Sequence, residues 1–128
     1  MIRPRLLLAD DHPSMLEATK SLLLPYFDVV GTVGNGADLV TEALRLNPDV
    51  VVTDVSMPVV NGINAIHELR ASGSLARVVF LTIHSKMEFV EACMAEGALG
   101  YVQKRHMKAH LVRAIQAALA GQSYVFLS

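Results

Sequence analysis

Five residues at the ends of short apolar runs carry most of the chemistry open to this chain. Asp10 and Asp11 follow Leu6-Leu7-Leu8-Ala9, Asp54 follows Val50-Val51-Val52-Thr53, and Thr82 follows Val78-Val79-Phe80-Leu81. Lys104 comes just after the run from Leu99 to Val102. If the first and third runs are neighbouring strands of a parallel sheet, the three carboxylates converge. Such acids repel one another unless a cation offsets them. A hard divalent ion such as Mg2+ suits oxygen ligands that share a site with a phosphoryl group. The Thr82 hydroxyl and the Lys104 ammonium can meet the remaining oxygens of that group. The pattern points to phosphoryl transfer with a carboxylate as nucleophile.

The elements that must position these residues are written in the same rhythm. Apolar runs at Leu6–Ala9, Phe27–Val33, Val50–Thr53, Val78–Leu81 and Leu99–Val102 alternate with longer helical patterns. Most of these runs lack polar alternation, which is how strands covered on both faces read. Between them, Leu111, Ala114, Ile115, Ala118 and Leu119 form one helical stripe, and Leu39, Val40, Ala43, Leu44 and Phe89, Val90, Cys93, Met94 form shorter ones. Pro13 fits the first turn of a helix. Pro25, Gly73, Gly97 and Gly121 close helical stretches, and Asn47-Pro48-Asp49 makes a turn. The reading is α/β, a (βα)5 doubly wound parallel five-stranded sheet, because right-handed crossovers place helices on both faces. In the order 2-1-3-4-5, ligands sit beyond the carboxyl ends of the strands, where the acids collect.

Composition excludes several other classes. The chain has 128 residues, within the range of one domain. Hydrophobic residues make up 52% and charged residues only 18%, against about 25% charged in an average domain, so disorder is ruled out. Eleven Lys+Arg against 12 Asp+Glu leave a net charge of −1 and no basic footprint for nucleic acid. The single cysteine, Cys93, forbids an internal disulfide and a Cys-based zinc site. No apolar run approaches the roughly 18 residues of a membrane span. The opening residues do not read as a signal peptide, so a cytoplasmic location is expected.

At the strand ends the chain resembles the receiver domain of a two-component response regulator, from about Arg5 to Gly121. The resemblance rests on Asp10-Asp11, on Asp54-Val55-Ser56-Met57-Pro58 followed by Asn61-Gly62, on Leu81-Thr82, and on Gly97 to Lys104. It implies a flavodoxin-like receiver fold over residues 1–121, with 122–128 as a tail leading toward an output domain. It implies that Asp54 accepts a phosphoryl group from a sensor histidine kinase. Asp10, Asp11, Asp54 and the backbone carbonyl of Ser56 would hold Mg2+, Lys104 would pair with the acyl phosphate, and Thr82 would turn inward to bond it. Tyr101 resembles the switch aromatic that follows that threonine. Such a domain is no enzyme beyond its own phosphorylation and slow dephosphorylation. It would form a homodimer on phosphorylation and reach DNA only through an output domain absent from this chain.

The Asp-Asp-His-Pro opening, the lack of proline after Lys104 and the ending Ala-Gly-Gln-Ser-Tyr resemble the NarL/FixJ branch, whose receivers precede a LuxR-type helix-turn-helix. Too few residues follow the last helix for a DNA-binding unit, so a single-domain regulator or an excised fragment is expected. A phosphatase of the haloacid dehalogenase type would carry a second acid two residues after its nucleophile, where this chain has Ser56.

Other polar residues have plainer readings. Gly31, Gly34 and Gly36 lack the spacing of a dinucleotide loop and read as a turn. His106 and His110, at i and i+4, read as surface residues without a third metal ligand. His12 is placed at helix entry and His67 on a solvated face. His84, two residues past Thr82, borders the expected pocket, and Cys93 reads as inert core. Ile83 departs from the family pattern, which favours a small residue after the threonine. It either guards the pocket mouth or fills the core.

Overall fold

The computed structural model describes residues 2–127. Strands β1 (Arg5–Ala9), β2 (Asp28–Val33), β3 (Val50–Thr53), β4 (Arg77–Thr82), β5 (Gly100–Gln103) and β6 (Tyr124–Phe126) build one parallel sheet in the order β2-β1-β3-β4-β5-β6. Helices α1 (Pro13–Leu23), α2 (Gly36–Leu46), α3 (Gly62–Ala71), α4 (Met87–Ala95) and α5 (Met107–Leu119) connect them, and a 3-10 turn at Lys104–His106 leads into α5. The doubly wound order expected from the sequence holds, with element bounds displaced by a residue or so. The difference is β6. The sheet was expected to stop at five strands, yet Tyr124–Phe126 adds a sixth beside β5.

The absence of alternation in the runs has the cause expected of it. Every residue of β3 and β5 is buried, because helices cover both faces of the sheet. Leu7, Val51, Val78 and Phe80 point into one layer with Leu39, Ala65, Ile66 and Cys93. Leu6, Leu8, Val50, Val52 and Val79 point into the other with Leu111, Ala114, Ile115 and Ala118. The α5 stripe read from the sequence is therefore the buried face of that helix. Cys93 lies in the first layer, and burial pushes its thiol up to about 12, which makes it unreactive.

Local signals explain the helix ends. Pro13 stands in the first turn of α1. Asn35 and Asn61 cap α2 and α3, accepting hydrogen bonds from the amides of Asp38 and Asn64. Gly73, Gly97 and Gly121 all take positive φ where helices end.

Candidate functional site

The turn after β1 is shaped by Asp10 itself, whose Oδ1 accepts the His12 amide at 2.9 Å. This side-chain turn brings the chain into α1 and leaves Asp10 buried beside an exposed Asp11. Asp54 follows β3, directly alongside β1 in register, so its amide donates to the Ala9 carbonyl at 3.0 Å. Its Oδ1 accepts from the amides of Val55, at 2.7 Å, and Ser56, at 3.4 Å. The chain can turn this tightly because Gly62 begins α3 against the Asp54 carbonyl. A Cβ there would sit 1.9 Å from that oxygen.

Lys104 closes the cluster. Its Nζ lies 2.6 Å from Asp10 Oδ2 and 2.9 Å from Asp54 Oδ2, with all three side chains buried. Burial alone would lower the lysine pKa, but the hydrogen bonds and charges of Asp10 and Asp54 outweigh it, and the pKa stands raised. Asp10, Asp11, His12 and Asp54 present ligand atoms within 4.8 Å of one another. Three carboxylates face a single permanent cation, so the donor set fits a hard divalent ion. Asp10, Asp11 and Asp54 could hold it. The sequence reading thus placed Asp10, Asp11, Asp54 and Lys104 together, and the structure brings them together.

Thr82 is fully buried at the end of β4, and its Oγ1 accepts the His84 amide at 3.3 Å. Tyr101 is fully buried on β5, and its hydroxyl donates to the His84 carbonyl at 2.9 Å. Burial raises the phenol pKa well above its ordinary value. The His84 ring lies 2.8 Å from Ser56 Oγ and stacks on Phe89 at 4.2 Å between centroids. One residue thus ties Thr82, Tyr101 and the loop after Asp54 together. The sequence placed His84 only at the border of the pocket. Two of its bonds run through the backbone, which side-chain identity does not reveal.

Ile83 is 72% exposed, so the core alternative fails. It stands on the rim shared by two open depressions of about 250 and 350 Å3, both also lined by Lys104. The loop after Asp54 carries backbone strain. Val59, exposed, has φ 70°, and the amide of Val60 donates to the carbonyl of Pro58 at 2.8 Å, closing a three-residue turn. Elsewhere, His67 is an exposed partner of Glu96, as expected of a solvated face. His106 and His110 depart from their surface reading. Both are half-buried, packed against β6.

A doubly wound sheet with buried acids and a lysine at the carboxyl ends of β1, β3 and β5 defines a class of acidic-pocket α/β domains. Residues 6–116 match the response regulator receiver domain. The chain is 34% identical over 122 residues to the transcriptional regulatory protein MctR of Rhizobium johnstonii, covering 94% of this chain and 57% of that protein. It is 33% identical over 119 residues to the nitrate/nitrite response regulator NarL of Escherichia coli K12, covering 91% and 55%. Among solved structures it resembles a LuxR-family two-component response regulator from Aurantimonas sp. SI85-9A1, with a TM-score of 0.90, 33% identity, and 95% and 89% of the two chains covered. The response regulator domain of Thermotoga maritima CheB gives 0.85, 25% identity, and 92% and 97% coverage. The chain belongs to the response regulator receiver domain family, and it spans little more than half the length of the curated relatives it matches.

Proposed function

We propose that this chain is a phosphoacceptor receiver in which Asp54 takes a phosphoryl group from the phosphohistidine of a sensor kinase. The observation that carries the reading is the Asp54 carboxylate itself. It is buried at a strand end, oriented by two backbone amides through one oxygen and by Lys104 through the other. In the transfer, a carboxylate oxygen of Asp54 forms a bond to phosphorus as the bond from phosphorus to the imidazole nitrogen breaks. The electron pair of that bond returns to the ring. Mg2+ held by Asp10, Asp11, Asp54 and the Ser56 carbonyl would neutralise charge on the phosphoryl oxygens.

Lys104 then pairs with the acyl phosphate, and Thr82 offers its hydroxyl, whose oxygen accepts the His84 amide. These differential contacts bias the surface around α4, β5 and α5, with Tyr101 following Thr82. The chain acts on no substrate beyond its own carboxylate. The phosphorylated form pairs with a second copy, and control of transcription passes through an output domain outside this chain. The chain works in the cytoplasm beside its kinase; none of the helices in residues 2–127 is long and apolar enough to cross a membrane.

The test is mass spectrometry after incubation with acetyl phosphate and Mg2+. One phosphoryl adduct per chain on wild type, lost in Asp54→Asn, is the expected result. A stoichiometric adduct that survives Asp54→Asn assigns the acceptor elsewhere. Asp11→Asn should sharply raise the Mg2+ concentration needed for labelling, and labelling at the wild-type rate in low Mg2+ would remove Asp11 from the ligand set.

A further inference from the structure

The sixth strand has no role in the chemistry above, yet it is built against the element that delivers Lys104. In the sheet, Gly100, Tyr101 and Val102 of β5 pair with Tyr124, Val125 and Phe126, and the Tyr124 amide donates to the Leu99 carbonyl at 2.8 Å. On the helix side, His110 stacks on Phe126 with centroids 3.6 Å apart and planes 16° apart. Its Nδ1 lies 2.7 Å from the Tyr124 hydroxyl. His106 meets Phe126 edge-on at 5.0 Å. Residues 124–126 are thus held by three strand pairings, by two histidines of the helix-five region and, through Tyr124, by the edge of the second core layer, with Tyr124 and Phe126 only half-buried.

The link to the site is one short turn. Lys104 and His106 are the first and last residues of the same 3-10 turn, with the amide of Met107 bonded back to the Lys104 carbonyl. One end is fixed by Asp10 and Asp54, and the other rests against Phe126. The fit at the second end is imperfect. His106 Nε2 is buried and finds no hydrogen-bond partner among the described residues, and burying such an atom costs free energy. The unpartnered atom thus belongs to the residue by which this turn meets β6.

We propose that β6 is a latch docked on β5 and α5 while Asp54 is a free carboxylate, and released when a phosphoryl group occupies that site. The inference rests on the phosphoacceptor reading. A phosphoryl group on Asp54 carries its charged oxygens farther from the β3 backbone, and Lys104 follows them. The three-residue turn moves with Lys104, and His106 leaves the position in which it meets Phe126. Tyr101 adds a second route, since it sits between the His84 carbonyl at its hydroxyl and Val125 at its backbone. Residues 124–126 would thus be a fixed strand in one state and a free segment in the other.

Amide hydrogen exchange followed by NMR on the full chain tests this, with beryllium fluoride and Mg2+ as the phosphoryl mimic. The Tyr124 amide should exchange about fivefold faster or more than with Mg2+ alone, at the lower end of ordinary coupling. Asp54→Asn should abolish the change. If the Val55 and Ser56 amides respond to the mimic while Tyr124 keeps its protection, the latch is wrong and the phosphoacceptor reading stands. If none of the three responds, the reading on which both rest is overturned.

Reciprocity gives an independent arm. Phe126→Ala removes the latch contact, so the mimic should bind it more tightly by the factor seen in exchange. Equal or weaker binding sinks the proposal.

Discussion

The carboxyl ends of β1, β3 and β5 and the outer edge at β6 solve opposite problems. The first region buries charge and makes each charged group answer another: Lys104 lies within ion-pair distance of both Asp10 and Asp54. The second is only half-buried and holds its strand by backbone pairing and aromatic contact, with one histidine nitrogen left unpartnered among the described residues. Breaking a buried ion pair strands a charge, whereas loosening an aromatic edge leaves groups that water can solvate. The first region is therefore a fixed device for holding a group, and the second is the place where the fold can yield.

The largest effect should come from breaking the charged cluster. Lys104→Met leaves two buried carboxylates without their cation, and urea denaturation without divalent metal should show a loss of about 3–5 kcal/mol. Added Mg2+ should return part of it. The sign of the pH dependence follows from the raised lysine pKa. A group whose folded pKa exceeds its unfolded one contributes stability that is whole below the unfolded value, here 10.5, and is lost as pH rises through the folded value. The gap between wild type and Lys104→Met should therefore hold from neutrality to about pH 10 and narrow only above it. A gap that closes by pH 9 would mean the lysine is not held as drawn.

A smaller effect is expected at the edge. Tyr124→Phe deletes the hydroxyl beside His110 Nδ1 and should cost about 0.5–1.5 kcal/mol in global stability. The Tyr124 amide should lose protection while core amides such as Val51 lose none beyond that global cost. A loss above about 3 kcal/mol would make the edge as integral as the site and erase the contrast.

The two regions also differ in how far the sequence reveals them. Asp10, Asp11, Asp54 and Lys104 stand directly after apolar runs, and a parallel order that makes β1 and β3 neighbours is enough to bring them together. The paired helix stripes and capping residues are equally local. β6 left no such signal, because Tyr124-Val125-Phe126 is too short for a strand pattern and depends on His106 and His110 from another element. The same contacts explain why those histidines are half-buried. An i, i+4 pair on a helix says which face it shares, not what will later fold over that face. Val59 is a third case: nothing in its side chain forecasts a positive φ, which is imposed by the turn between Pro58 and Val60.

The smallest effect on stability, and the sharpest test of access to the site, belongs to Ile83. Because it is 72% exposed, trimming it should change folding stability by no more than about 0.5 kcal/mol, rather than the roughly 2–5 kcal/mol of a core position. Its place on the rim of the two depressions that Lys104 also lines predicts a kinetic role instead. A branched Cβ leaves few rotamers in which to swing aside, so we expect the side chain to narrow the approach past Lys104 for small molecules. Acetyl phosphate and the water that hydrolyses an acyl phosphate both use that approach. Ile83→Ala should therefore speed labelling by acetyl phosphate and autodephosphorylation together, while Asp54→Asn in the same background stays unlabelled. Acceleration of one rate alone would place Ile83 against a single reactant. Unchanged rates in a fully stable variant would show that the rim is wide enough without it, and that access is set elsewhere at the surface, where the His84 ring meets Ser56.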